Sequence, residues 1–136
     1  MKEGYLSNYF EGVAVKTLSA VEADVLKSNQ HEFNGVKALK EILGTTRNEY
    51  QAKFIYLTDN EEHIQSEDGF LTWYDARENH ATRSEYRLYF PTNSISQLSC
   101  AGDILVIARQ NEGDKLLAIV AEKDSTIAQQ VLWLFG

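Results

Sequence analysis

Three residues in the stretch ATRSEYRLYF (Ala81–Phe90) have the side chains and the spacing for directional recognition: Arg83, Glu85 and Arg87 stand at every second position. In an extended chain alternate side chains share a face, so these three point one way and Tyr86, Leu88 and Phe90 the other. The apolar set belongs in a core. That leaves guanidinium, carboxylate, guanidinium as an outward row. A guanidinium fits the O6/N7 edge of guanine, a carboxylate accepts from the N4 amine of cytosine, and a major groove is wide enough to admit β structure. The same alternation also describes a solvated strand face with weak ion pairs.

A near copy of the word, TRNEY (Thr46–Tyr50), carries Arg47, Asn48 and Glu49, which read as a turn entering a strand. A second polar stretch, KSNQHEFNG (Lys27–Gly35), offers Asn29, Gln30, His31 and Asn34 as donors and acceptors between the first strand and the first helix. On composition it is a connecting loop, and it is also placed to enter a groove opposite the Arg83 row.

Signs of catalysis are few. The chain has no P-loop, no G-x-G-x-x-G, no H-E-x-x-H and no G-x-S-x-G. No Glu or Asp begins the E-x-K or D-x-K triplet of metal-dependent nucleases. His31, His63 and His80 lack metal-ligand spacing, so neither a metal nor another cofactor is expected. The single cysteine, Cys100, cannot form an internal disulfide and reads as a buried structural thiol.

The elements that must position these residues follow from period. Tyr9–Leu18, Gln51–Thr58, Gly69–Asp75, Arg83–Phe90, Asp103–Arg109 and Lys115–Glu122 are short and rich in β-branched and aromatic residues, as strands are. The turn NEGD (Asn111–Asp114) makes the last two a hairpin. GVKALKEILG puts Val36, Leu39, Ile42 and Leu43 on one helical face and stops at Gly44. DSTIAQQVLWLFG opens on capping residues and spaces Ile127, Val131, Leu134 and Phe135 for burial. The expected fold is mainly β (α+β): one domain over 1–136, a pseudobarrel of about seven strands plugged by two helices.

Composition bounds the partners. A formal net charge of −7 repels polyanions globally, so contact with nucleic acid has to be local. The charges are segregated: Asp59, Glu61, Glu62, Glu67 and Asp68 form an acidic run without a cation, while Lys27, Lys37 and Lys40 flank the amide-rich stretch. No run approaches the ~20 apolar residues of a membrane span. Without a signal-peptide core at its start, the chain is expected in the cytoplasm.

Taken in order, NYFEGVAVKTLSA (Asn8–Ala20), SNQHEFNGVKAL (Ser28–Leu39), ATRSEYRLYF and AGDILVIAR (Ala101–Arg109) resemble the effector-binding domain of EcoRII-type restriction endonucleases. That group includes the recognition domains of BfiI-like and NgoAVII-like enzymes. The resemblance implies a DNA-binding pseudobarrel that grips the major groove of double-stranded DNA with two arms. The first arm would use Asn29, Gln30, His31, Asn34 and Lys37; the second, Arg77, His80, Thr82, Arg83, Glu85 and Arg87. Cleavage would belong to a separate nuclease module, in cis or in trans. Where EcoRII carries lysines, this chain has Ala81 and Tyr86, so phosphate contacts would fall to Lys27, Lys37, Lys40 and Arg77. Two other expectations compete with this one. One is a protein-interaction domain using the acidic run and the apolar C-terminal helix. The other is a hydrolase with His31 or His80 as base in a deep pocket.

Overall fold

The computed structural model describes residues 9–23, 32–111 and 113–136. Over them the chain runs β1 (Phe10–Thr17), α1 (Ala20–Ala23), β2 (Glu32–Asn34), α2 (Lys37–Leu43), β3 (Asn48–Leu57), β4 (Gln65–Asp75), β5 (Tyr86–Tyr89), α3 (Ser94–Leu98), β6 (Ile104–Gln110), β7 (Lys115–Ala121) and α4 (Thr126–Phe135). A 3-10 turn, Glu61–His63, joins β3 to β4. The strands form one curled sheet in the order β1-β6-β7-β3-β4-β5-β2. All pairings are antiparallel except that of β3 with β7. This is the mainly β half-barrel expected of the strand pattern.

Side-chain parity explains the curl. On the concave side Tyr50, Phe54, Leu71, Trp73, Leu88, Leu105 and Ile107 pack into one buried cluster, in which the Phe33 and Phe90 rings stack at 4.4 Å. On the convex side Val106, Ile119 and Ala121 meet Ala128 and Val131 of α4. β6 and β7 are therefore covered on both faces, which is why ILVIA and LLAIVA lack polar alternation. The start of α4 is held twice. Ser125 Oγ accepts from the Ala128 N–H at 3.0 Å, and the Asp59 carboxylate accepts from the Thr126 and Ile127 N–H groups at 2.9 Å each. Those two backbone bonds hold the Asp59 carboxyl below its ordinary range.

β1 and β2 lie at opposite ends of the strand order, yet one carboxylate joins them. Glu22, on α1 and 3% exposed, accepts at Oε2 from the Lys16 ammonium of β1 and from the Asn34 N–H of β2 at 2.7 Å. Its Oε1 accepts from the Ser19 N–H at 3.0 Å. Burial alone would raise the Glu22 pKa, but the bonds from Lys16, Ser19 and Asn34 outweigh it and hold the carboxyl below its ordinary range.

Several expectations need correction. β5 begins at Tyr86, so Arg83 precedes the strand and does not stand on its face. Cys100 is exposed, because it follows α3 in a turn where its N–H donates to the Asp103 carboxylate and its side chain is left outside. Leu134 is 36% exposed; Ala128 takes its place under α4. The one-turn helices α1 and α3 and the three-residue strand β2 carry too few residues to show a period.

Replacing Glu22 with Ala should cost about 3 kcal/mol in urea unfolding, because it strands a mostly buried ammonium and a backbone donor. The double change Glu22→Leu with Lys16→Met should cost less. Since the folded carboxyl titrates below its unfolded value, the deficit of Glu22→Ala should be full above the ordinary glutamate range, near ~4.3. It should shrink as pH falls through the lower folded value.

Candidate nucleic-acid interface

The described end of the first stretch, Glu32–Gly35, meets the second at the β2–β5 edge. Their antiparallel register sets Asn34 opposite Arg87 and Glu32 opposite Tyr89. Just beyond β2 the chain passes so close to β5 that a Cβ on Gly35 would sit 2.4 Å from the Tyr86 carbonyl oxygen, to which the Gly35 N–H donates at 2.8 Å. Only glycine permits that approach, and it starts α2 beside β5 with an exposed Lys37 as first residue.

The β4–β5 loop carries the second stretch and is fixed at neck and tip. At the neck, Asp75 Oδ1 accepts from the Glu85 N–H at 2.7 Å and the Arg77 N–H at 2.9 Å. The Glu85 bond is the largest influence holding the Asp75 carboxyl below its ordinary range; the Arg77 N–H and the charges of Lys40 and Arg77 add to it against desolvation. At the tip, His80 Nδ1 accepts from the Thr82 and Arg83 N–H groups at 3.2 and 3.1 Å. His80 is thus an exposed loop cap.

Across this edge runs a ladder of opposite charges. Glu32 Oε1 meets Arg87 Nη1 at 3.2 Å, Arg87 Nη2 meets Glu85 Oε1 at 3.1 Å, and Glu85 Oε2 meets Arg77 Nε at 3.1 Å. Arg87, and after it Arg77, lower the Glu85 carboxyl. Desolvation works to depress the Arg87 pKa, but Glu85 and Glu32 raise it above its ordinary value. With two cations and two anions the ladder cancels its own charge. Arg83, exposed at the loop tip, has no carboxylate partner among the described residues. The outward row therefore holds from Glu85 to Arg87 on the strand side and is continued by a loop residue at Arg83.

Other named residues are distributed as follows. Asn34, Lys37, Arg77, His80, Thr82, Arg83, Glu85 and Arg87 share this edge or its loop. Lys40 lies 5.1 Å from the Tyr86 ring centroid, facing the same edge from α2. Lys27, Asn29, Gln30 and His31 lie outside the described residues. His63, on the 3-10 turn, sits at the other end of the β3–β4 hairpin. Among the described residues no three His, Cys, Asp or Glu side chains gather as metal ligands would, and no helix is long and apolar enough to cross a membrane.

Sequence reasoning passed over Glu32 and Tyr74 and read Arg47 only as part of a turn entering a strand; the strand begins one residue after it, at Asn48. The Arg47 guanidinium lies over the Tyr74 ring at 5.5 Å, and Tyr74 stands opposite Arg87 in the β4–β5 register. Alternation within GFLTWYD already put Tyr74 on the face opposite Trp73; no local signal joined it to Arg47. No family model matches the chain, and comparison with curated proteins and with solved structures likewise gives no match.

Asp75→Ala should release the loop neck: amide exchange at Arg77 and Glu85 should accelerate while exchange in β6 and β7 stays slow. In the parent protein the neck should hold down through the ordinary aspartate range, near ~3.9, and open only as pH falls through the lower folded value. Amide NMR signals of Glu85 and Arg77, followed downward in pH, read this directly.

Proposed function

We propose that the chain is a sequence-specific double-stranded DNA-binding domain of the EcoRII effector type, reading the major groove with two arms and doing no chemistry of its own. Cleavage then belongs to a nuclease module in cis or in trans. The observation that carries this reading is the convergence of Asn34, Arg83, Glu85 and Arg87 on one edge of a curled sheet, with Lys37 and Lys40 beside them. Within the reading, the residues differ in readiness. Arg83 keeps its whole guanidinium fork for a guanine edge, and Glu85, anchored by Arg77 and Arg87, offers a fixed acceptor to a cytosine amine. Arg87 reaches a base only by exchanging a carboxylate for it. Lys37 and Lys40 supply phosphate contacts.

A second reading, a protein-interaction domain, draws on α4, where Leu132, Trp133 and Leu134 are 42%, 67% and 36% exposed. Selection of bound fragments from a randomised duplex pool at low salt separates the two. Enrichment of a short motif supports DNA recognition, and an unenriched pool overturns it. On the selected duplex, Arg83→Ala should cost about 1–3 kcal/mol and relax preference at one position, whereas Lys40→Ala should weaken all duplexes alike. Equal loss on every duplex from Arg83→Ala would remove the base-reading role.

A further inference from the structure

The chain has five arginines, Arg47, Arg77, Arg83, Arg87 and Arg109. Three of them are matched to carboxylates: Arg77 to Glu85, Arg87 to Glu32 and Glu85, and Arg109 to Glu11 and Asp114. Among the described residues, Arg47 and Arg83 have no such partner. Arg47 is exposed and lies over an aromatic ring instead. A guanidinium on a ring face is held in place without spending its N–H groups, which remain free at the edge of the plane.

Its position is fixed by register. Asn34 of β2 stands opposite Arg87 of β5, Arg87 opposite Tyr74 of β4, and the β3–β4 pairing ends at Asn48 opposite Trp73. Arg47, one residue before Asn48, extends this transverse row by one strand. Neighbouring strands lie about 4.8 Å apart, so two spacings put Arg47 roughly 10 Å from Arg87 at the backbone. A major groove about 12 Å wide is walled by phosphates. A guanidinium that far to the side of groove-reading residues meets the backbone wall, where it has nothing to read and a charge to neutralise.

We infer that Arg47, seated on Tyr74, is a phosphate-contacting residue on the backbone wall of the groove that Arg83 and Glu85 enter, an inference that rests on the DNA-binding reading above.

The test is fluorescence anisotropy on the selected duplex and on scrambled duplexes, with salt varied from about 50 to 200 mM. Arg47→Ala should weaken every duplex by the same factor, about 3- to 10-fold, and should flatten the slope of log K against log salt by about 0.9. Arg47→Lys should keep the slope. Tyr74→Phe should behave as the parent, and Tyr74→Leu should lose affinity with the slope retained, because the cation remains but its seat is gone. A neutral methylphosphonate placed at the contacted phosphate should abolish the difference between the parent and Arg47→Ala. Unchanged thermal unfolding of Arg47→Ala confirms that binding alone is being read. If the parent binds a selected duplex and Arg47→Ala matches it in affinity and slope, or loses discrimination at one base, this inference is wrong while the DNA reading stands. If the parent binds no duplex, both fall.

Discussion

The Glu22 carboxylate is the contact on which the shape of this molecule turns. A seven-stranded open sheet has two edges, and here those edges, β1 and β2, are brought together by one buried side chain, with no backbone ladder between them among the described residues. Burying a carboxylate is unfavourable unless it is paired and hydrogen-bonded. Glu22 meets that condition with an ammonium from one edge and an N–H from the other, so its own satisfaction requires the curl. The consequence reaches the candidate site: β2 is three residues long, and its place beside β5 is what sets Asn34 and Glu32 against Arg87.

Pairing within the Glu32–Arg87–Glu85–Arg77 ladder gives the edge order at the expense of free charge. Each partner fixes the next, so Glu85 and Arg87 are held in one geometry; for the proposed DNA contact, ordering them on binding would then cost less. Strongly bound internal partners also compete with a ligand for the same N–H groups. Under the proposed reading the arrangement divides labour: the paired residues give a shaped surface, and Arg83 and Arg47, which have no carboxylate partner among the described residues, give attraction.

Much of this could be read from sequence because it depends on local period. The alternation in RSEYRLYF places Leu88 and Phe90 inside and Glu85 and Arg87 outside, and the 3.6-residue spacing in VKALKEIL places Leu39 and Leu43 in the core. What the sequence hid depends on contacts distant along the chain. Nothing near Glu22 announces a partner twelve residues on in β2, nothing near Asp59 announces the helix start it caps at Thr126, and Arg47 finds Tyr74 only through the β3–β4 register. Arg83 fell to the loop for another reason. Asp75 captures the Glu85 N–H for the loop neck, a local side-chain bond that competes with continuation of the β4–β5 ladder toward Arg83.

The overall acidity of the chain and the proposed contact with phosphate are compatible because of where the sheet puts its charges. Asp59, Glu61 and Glu62 cluster at the turn after Leu57, whereas Arg47, Tyr74 and the β4–β5 loop lie at the other end of the same hairpin. β3 has 10 residues, which at about 3.3 Å each separates the two ends by roughly 30 Å. That is several Debye lengths, each about 8 Å at physiological salt, so the acidic turn is screened from the β4–β5 loop. Asp59 is moreover committed to the N–H groups of α4, and α4 covers the convex face over β6 and β7. Among the described residues no helix covers the outward residues of β4, β5 and β2 in this way, and Thr72, Tyr74, Arg87 and Asn34 keep access to solvent. The helix thus packs one part of a continuous sheet and leaves another open: Arg87 and the loop residues Arg77 and Arg83 belong to the open part, while Arg109 stands on the packed strand β6.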